Sequence, residues 1–284
     1  MLYKLGLIGY PLSHSMSKVI QEAALESVGE KGSYELLETT QEDLINRVKY
    51  LRSSGFQGFN VTIPLKVGIT LFLSSVDNIA NVAGSANTIK IKEDFSLEGY
   101  NTDVYGFMEA IDKDTQAMLI GKKAIVLGNG GAARAIGVGL ALLRVSHIDF
   151  YVRDLEKASD LIENMRENFP SVNVNCYKMI NLETLKNYKI LVNTTPLGMK
   201  NMYEGKSPIS ENLLKTMDSD SCVYDIVYNP LKTKLIKMAK ERGLKTIQGL
   251  DMLIYQGAKS FEIWTGLKPD ITKMKIAALE AMLD

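Results

Sequence analysis

The chain has 284 residues, of which 46% are hydrophobic and 23% are charged, and its formal net charge at pH 7 is zero. This composition is typical of a globular protein of about two domains and gives no support for a nucleic-acid or membrane partner. No apolar run reaches the ~18 residues that a membrane-spanning helix needs. The two widely spaced cysteines and two histidines form no metal or disulfide motif. We therefore expect a cytoplasmic protein without a signal peptide or a bound metal.

Strands and helices alternate along the first hundred residues. A strand over 3–8 precedes a helix over 17–28, for which Ser17 has the residue type of an N-cap. A strand over 34–38 and a helix over 42–51 follow, the latter with Leu44, Ile45, Val48 and Leu51 at helical spacing. Ser13 and Ser15 lie in the first strand-to-helix loop, where they are either ligand-binding residues or ordinary turn residues.

The stretch from Asn60 to Lys66 reads as the end of a strand that breaks into a loop, because Pro64 cannot donate to a sheet ladder. Asn60, Thr62 and Lys66 offer an amide, a hydroxyl and an ammonium. This set suits a hydroxylated or carboxylated small molecule, and a lysine near apolar walls can act as an acid or base. The alternative is a solvated loop with a surface lysine.

Asp103 follows a predicted hairpin, with strands over 88–92 and 95–100, and precedes a helix over 104–111. An aspartate at such a position is most often an N-cap. The functional alternative is that its carboxylate faces Lys66, which would fix the ammonium and bias its charge.

A second α/β unit begins with the apolar strand 122–127, which runs into Gly128-Asn-Gly-Gly-Ala-Ala133 and a helix over 132–143. Gly128, Gly130 and Ala133 fit the pattern G-x-G-x-x-G/A. Small residues at these positions let the backbone approach a pyrophosphate, whose negative charge the helix N-terminus favours. The sequence therefore predicts a dinucleotide site here.

Arg153 and Asp154 end the next strand, predicted over 148–152, where the adenosine ribose should lie. An arginine accommodates the 2′-phosphate of NADP, whereas an acidic residue accepts the 2′-hydroxyl of NAD. The chain offers both side by side, and Asp154 has the further alternative of capping the next helix.

The remaining elements complete an α/β fold with a largely parallel sheet. Strands are predicted over 189–192 and 222–227, and helices over 231–242, 249–264 and 271–283. Since the last two helices follow the nucleotide unit, they can fold back on the first domain.

Taken together, the motifs resemble those of the shikimate dehydrogenase family over nearly the whole chain. The resemblance rests on Ser13-His-Ser15, Asn60-Val-Thr-Ile-Pro-Leu-Lys66, Ala86-Asn-Thr88, Asn101-Thr-Asp103, the glycine loop, Asn193-Thr-Thr-Pro-Leu-Gly-Met199, Tyr228-Asn-Pro230 and Met252-Leu-Ile-Tyr-Gln256. It implies a substrate domain over 1–103 and 242–284, a Rossmann-type domain over 104–241, and a cleft between them. The implied quaternary state is a monomer or a homodimer.

The resemblance also implies residue roles and a reaction. Lys66 and Asp103 would be the catalytic pair for reversible NADPH-dependent reduction of 3-dehydroshikimate to shikimate, in aromatic amino-acid biosynthesis. The substrate-binding residues would be Ser13, Ser15, Asn60, Thr62, Lys66, Asn87, Asp103, Tyr228 and Gln256. The cofactor-binding residues would be Gly128, Asn129, Gly130, Gly131, Ala132, Arg153, Asp154, Ile226 and Gly249.

Three alternatives stay open. Asp154 departs from the residues that usually follow the arginine in NADP-specific members, so NAD is an alternative cofactor and a quinate/shikimate dehydrogenase is the nearest alternative function. A related dehydrogenase of another substrate is disfavoured by Ser13, Ser15, Lys66 and Asp103. A non-catalytic nucleotide sensor on the same fold is disfavoured by the intact Lys66 and Asp103.

Overall fold

A computed structural model describes residues 2–283. They fall into two compact units, the first formed by residues up to Gly106 together with those from Ile254, and the second by Phe107–Leu253. The second boundary lies later than the expected residue 241. The reason is that Lys245–Gln248 forms a strand that pairs with the sheet of the second unit.

Strands and helices alternate as expected for an α/β chain. The strands are β1 (Leu2–Gly9), β2 (Lys31–Glu38), β3 (Gly58–Val61), β4 (Ser75–Val76), β5 (Thr88–Ile91), β6 (Leu97–Tyr100), β7 (Lys123–Leu127), β8 (His147–Val152), β9 (Asn173–Lys178), β10 (Tyr188–Asn193), β11 (Cys222–Asp225) and β12 (Lys245–Gln248). The helices are α1 (Ser17–Ser27), α2 (Leu44–Ser53), α3 (Asn78–Ala83), α4 (Thr102–Glu109), α5 (Lys113–Leu119), α6 (Gly131–Leu142), α7 (Ser159–Asn168), α8 (Glu211–Leu214), α9 (Lys234–Glu241), α10 (Gly249–Thr265) and α11 (Ile271–Ala281).

The first unit contains a mixed six-stranded sheet in the order β2-β1-β3-β5-β6-β4. β1 pairs in parallel with β2 and β3, whereas β5 is antiparallel to both β3 and β6. Leu44, Val48 and Leu51 of α2 pack against this sheet, as their spacing predicts. Ile45, expected on the same apolar face, is 52% exposed, because its place on the helix turns it to solvent.

Helix α10 lies directly against the middle of the first sheet. Trp264 is buried, and its Nε1 donates a hydrogen bond of 2.9 Å to the carbonyl oxygen of Ile89. A Cβ on Gly58 would come within 2.2 Å of Trp264 Nε1, so only glycine lets the helix approach this closely. The C-terminal part of the chain therefore completes the first unit.

The second unit contains a six-stranded sheet in the order β12-β11-β10-β7-β8-β9, and every pairing is parallel. The strand order reverses between β7 and β10, so their carboxyl ends form the switch point at which such sheets bind ligands. Ile125, Leu191, Val223 and Leu235 belong to the core on one face of this sheet. This is the doubly wound architecture that the glycine loop predicts.

Several elements differ from the sequence expectations. The sequence patterns do not predict helices α5 and α7. They do not predict strands β9 and β12 either, because these two strands lie at the sheet edges, carry many polar side chains and show no clear alternation. Ser17 is the first residue of α1 and not its N-cap, which is Met16 without a side-chain cap. Helix α9 begins at Lys234, since Thr233 accepts a hydrogen bond from the backbone N–H of Ile236.

Within residues 2–283, no helix is long and apolar enough to cross a membrane.

Candidate functional site

The loop after β3 holds Lys66 in a fixed place. β3 ends at Val61, before Pro64, as expected. Leu65 is fully buried and anchors the loop, and the backbone N–H of Ala86 donates a 2.9 Å hydrogen bond to the carbonyl oxygen of Lys66. This bond places Lys66 next to Asn87, which precedes β5.

Lys66 and Asp103 form an ion pair. Lys66 Nζ lies 2.5 Å from Asp103 Oδ2, and the two side chains are 14% and 7% exposed. Asp103 lies in the first turn of α4, where the helix dipole favours a carboxylate. The tertiary structure thus brings together two residues that lie far apart in sequence, and Asp103 is neither a solvated residue nor an N-cap.

Asn87 orients the carboxylate of Asp103. Its Nδ2 lies 2.9 Å from Asp103 Oδ1, 2.9 Å from Thr102 Oγ1 and 3.2 Å from Gln256 Oε1. Its Oδ1 accepts a 2.7 Å hydrogen bond from the backbone N–H of Thr102. Asn87 is buried, so its amide plane is fixed and Gln256 of α10 joins the group around the ion pair.

Asn60 lies beneath this group with its amide directed into the protein. Its Oδ1 accepts a hydrogen bond of 2.8 Å from Tyr34 Oη. Its Nδ2 lies 3.0 Å from Asn87 O, 3.1 Å from Thr88 Oγ1 and 3.0 Å from Ser260 Oγ. Both polar atoms of the Asn60 side chain therefore have protein partners, an arrangement that suits the support of its neighbours better than direct contact with a ligand.

Sequence reasoning missed Tyr34, Thr88, Thr102 and Ser260 as members of this buried network. The signal for Ser260 was its position four residues after Gln256, which puts both side chains on one face of a helix. No pattern in the sequence signals Tyr34, because its partner Asn60 is on another strand.

The loop that carries Ser13 and Ser15 meets the loop that carries Thr62. A Cβ on Gly9 would lie 2.3 Å from Thr62 Cγ2, so glycine is needed where the two loops touch. The backbone N–H of Tyr10 donates a 2.9 Å hydrogen bond to Ile63 O. Ser13 is exposed, and Ser15 Oγ accepts a 3.2 Å hydrogen bond from the N–H of Ser17. The serine and threonine hydroxyls thus lie on adjoining loops of the first unit.

The glycine loop of the second unit has the geometry of a phosphate-binding turn. Gly128 follows β7 with φ +119°, and a Cβ there would lie 2.6 Å from Thr194 Oγ1. Gly130 is the N-cap of α6, and a Cβ there would meet no atom within 4 Å. The open space in front of this helix N-terminus fits the pyrophosphate of a dinucleotide. Asn129, Gly131 and Ala132 complete the loop and are partly buried.

Arg153 and Asp154 directly follow β8, the neighbour of β7. Arg153 is exposed. Asp154 Oδ1 accepts a 3.0 Å hydrogen bond from the N–H of Glu156, and its Oδ2 lies 3.7 Å from Lys157 Nζ. The carboxylate of Asp154 is therefore held by the following turn and partly balanced by a lysine.

The loop after β11 is held by a buried carboxylate. Asp225 accepts hydrogen bonds from Asn193 Nδ2 at 2.9 Å, Val227 N at 3.1 Å and Thr233 Oγ1 at 2.6 Å. Burial raises the pKa of Asp225 from 3.8 to about 6, although the three hydrogen bonds lower it. These contacts fix the start of the segment that carries Ile226 and Tyr228.

Ile226 and Gly249 are in direct contact. A Cβ on Gly249 would lie 2.2 Å from the carbonyl oxygen of Ile226, so no other residue fits there without a backbone shift. Both belong to the second unit, as does Tyr228. Among residues 2–283 no group of three or more histidine, cysteine, aspartate or glutamate side chains could hold a metal ion.

Comparison with known proteins shows the family of this chain. The family model described as the shikimate dehydrogenase substrate binding domain matches residues 7–89, and that described as the shikimate 5′-dehydrogenase C-terminal domain matches residues 249–279. A shikimate dehydrogenase (NADP+) of Methanococcus maripaludis is 38% identical over 270 residues, which cover 95% of this chain and 94% of that protein. The chain belongs to the shikimate dehydrogenase family.

Two solved shikimate dehydrogenases have the same fold over nearly their whole length. A crystal structure in complex with NADP+ superposes with a TM-score of 0.88 at 35% identity, covering 99% of this chain and 96% of the other. The shikimate 5-dehydrogenase of Thermus thermophilus, in complex with NADP(H) and shikimate, has a TM-score of 0.82 at 35% identity and covers 98% and 99%. The two-domain α/β fold with a Rossmann-type domain is thereby confirmed.

Proposed function

We propose that this protein is an NADP-dependent oxidoreductase that interconverts 3-dehydroshikimate and shikimate. The observation that carries the proposal is the Lys66–Asp103 ion pair, held by Asn87 in a member of the shikimate dehydrogenase family. The biosynthesis of aromatic amino acids is the pathway in which this reaction belongs.

Lys66 is the proposed acid and base of the reaction. In the reductive direction its ammonium donates a proton to the oxygen of the substrate carbonyl as negative charge develops there, and it takes the proton back in the oxidative direction. Asp103 holds the ammonium through Oδ2, and Asn87 holds Oδ1. This leaves Lys66 Nζ in one position for the transfer, which contributes to the rate by orientation.

When bound, NADPH would supply the hydride that the carbonyl carbon receives. In the second unit, Gly128 to Ala132 would hold the pyrophosphate at the N-terminus of α6, where the open space at Gly130 supports this placement. Arg153 would face the 2′-phosphate, and Ile226 and Gly249 would line the rest of the cofactor site.

The substrate's hydroxyl and carboxylate groups match the polar groups gathered in the first unit. Ser13, Ser15 and Thr62 would bind the carboxylate, because their loops adjoin. Asn87, Asp103 and Gln256 would bind hydroxyls, since they surround Lys66. Tyr228 is a further proposed substrate contact. Asn60 would act through Asn87, to whose carbonyl oxygen it donates.

The decisive experiment is to measure initial rates of shikimate oxidation by the purified protein with NADP and with NAD, and then of quinate oxidation with the better cofactor. We expect turnover with shikimate and a clear preference for NADP. Absence of turnover with any pair would contradict the proposal. Asp154 is the observation that favours a second candidate, a quinate/shikimate dehydrogenase, and comparable rates with NAD or with quinate would support it.

A further inference from the structure

Ser260 of α10 occupies the centre of the buried polar network. Its side chain is fully buried. Its Oγ lies 3.0 Å from Asn60 Nδ2, 2.7 Å from Thr88 Oγ1, 3.1 Å from Thr102 Oγ1 and 2.9 Å from the carbonyl oxygen of Gln256. One hydroxyl on α10 thus contacts β3, the first residue of β5 and the first residue of α4.

The protons of this network can be assigned from the chemistry of the groups. A serine hydroxyl has one proton to donate and two lone pairs to accept with. Asn60 Nδ2 can only donate and the Gln256 carbonyl can only accept, so Ser260 accepts from the former and donates to the latter. One lone pair then remains for the hydroxyl proton of Thr88 or Thr102.

This assignment reaches the ion pair through Thr102. If the Thr102 hydroxyl donates to Ser260, its own lone pairs accept from Asn87 Nδ2, at 2.9 Å. Asn87 has a second Nδ2 proton, which it directs to Asp103 Oδ1, also at 2.9 Å. Without Ser260 Oγ, the Thr102 proton can turn to Asn87 Oδ1, at 3.1 Å, and the Thr102 lone pairs then turn away from Asn87 Nδ2.

We propose that Ser260 is a positioning residue for the Lys66–Asp103 pair, acting through Thr102 and Asn87. The proposal rests on the proposed function, because it assigns Ser260 a part in that reaction. It also gives the backbone of α10 a part in the site, since Ser260 Oγ donates to the carbonyl oxygen of Gln256, whose side chain approaches Asn87.

The test is a single-turnover measurement on the Ser260→Ala variant of the full-length protein. Enzyme in excess over NADPH is mixed with saturating 3-dehydroshikimate, and the rate constant of NADPH oxidation is followed by stopped-flow absorbance. This rate constant is a property of the active molecules and does not depend on how many have unfolded. We expect it to fall by about tenfold, because a small displacement of a catalytic group is costly. The KM for 3-dehydroshikimate should change by less than about threefold, since its ligands remain.

Ser221→Ala is the matched control. Ser221 is also a buried serine, and its Oγ donates a 3.0 Å hydrogen bond to the carbonyl oxygen of Tyr188 in the second unit, outside the proposed site. Its loss should lower the stability and leave the single-turnover rate constant unchanged. An equal fall of the rate constant in both variants, or an unchanged rate constant in Ser260→Ala, would overturn the proposal.

A second variant covers the case in which Ser260→Ala does not fold. Ser260→Cys keeps a side chain of similar shape but has a weak donor and acceptor. Its rate constant should be lower than that of the wild type, by less than about tenfold. A wild-type value would overturn the proposal. If the wild-type protein itself does not oxidise NADPH with 3-dehydroshikimate, the proposed function fails first, and this result is distinct from a wild-type rate in the variants.

Discussion

The two units of the molecule surround a carboxylate in different ways. In the first unit, Asp103 has a cation and an amide as partners, Lys66 Nζ and Asn87 Nδ2. In the second unit, Asp225 is fully buried and has three neutral donors, from Asn193, Val227 and Thr233. Burial raises the pKa of Asp225 to about 6, although the three hydrogen bonds lower it.

The difference indicates two uses of a buried polar group. A paired carboxylate with a partly exposed lysine can hold a proton donor at the place where a ligand arrives. A carboxylate with only backbone and neutral side-chain donors holds loops together, and its charge makes the stability depend on pH. We therefore expect changes in the first unit to act mainly on catalysis and changes at Asp225 to act mainly on stability.

Lys66→Ala should have the largest effect. We expect kcat to fall by roughly 10²–10⁴, the range for a lost acid or base, with shikimate binding within a few-fold of the wild type. The control is Lys189→Ala, because Lys189 is also 14% exposed and pairs with an aspartate, Asp220, in the second unit. Steady-state rates and shikimate titrations of both variants measure the difference. A nearly normal kcat in Lys66→Ala would remove its catalytic role.

Asp225→Asn should change how stability depends on pH. Since the folded-state pKa is raised, the native protein keeps this proton between pH 3.8 and about 6 while the unfolded chain loses it. The contribution of the protonated Asp225 carboxyl group to the free energy of unfolding is therefore fully present below pH 3.8. It is lost as the pH rises through about 6, an effect of about 3 kcal/mol.

The measurement for Asp225 is urea unfolding of the wild type and of Asp225→Asn at several values between pH 4 and pH 7. Relative to the variant, the wild type should lose free energy of unfolding across this interval. Parallel pH profiles of the two proteins would show that Asp225 does not titrate as its burial indicates.

Tyr34→Phe should have a smaller effect than the two variants above. Tyr34 lies at the far end of the buried hydrogen-bond network of the first unit. The variant removes the hydrogen bond from Tyr34 Oη to Asn60 Oδ1 and leaves a buried acceptor without its donor. We expect a loss of about 1–3 kcal/mol in the free energy of unfolding. The single-turnover rate constant should change by less than that of Ser260→Ala, because the hydrogen bond of Tyr34 is to Asn60 and not to Thr102 or Asn87. A larger rate effect than at Ser260 would contradict this order.

Asp154→Asn should have the smallest effect of the four. The carboxylate is about half exposed and already faces Lys157 at 3.7 Å, so its repulsion of a 2′-phosphate is screened. We expect NADPH to bind about 2- to 5-fold more tightly, consistent with at most about 1 kcal/mol for an exposed charge. Fluorescence titration with NADPH and with NADH checks this, and tighter binding of NADH than of NADPH by the variant would contradict it.

Much of the fold was predictable because the signals are local. The glycine loop, its preceding apolar strand and the helix that follows lie within one short stretch, and all three are present in the structure. Lys66 was predictable as a candidate because Pro64 has to end the strand before it. The domain boundary near residue 253 was not predictable, because β12 carries a polar edge-strand sequence.

The sequence by itself determined the fold class, the position of the dinucleotide loop and the residue types available for acid–base chemistry, since these depend on spacing and on backbone restrictions of glycine and proline. Only the tertiary structure decided that Asn60 is directed inward and that Ser260 joins Asn60, Thr88 and Thr102. The physical reason is that hydrogen bonds between distant segments depend on how a helix and a sheet pack, which no local pattern in the chain specifies.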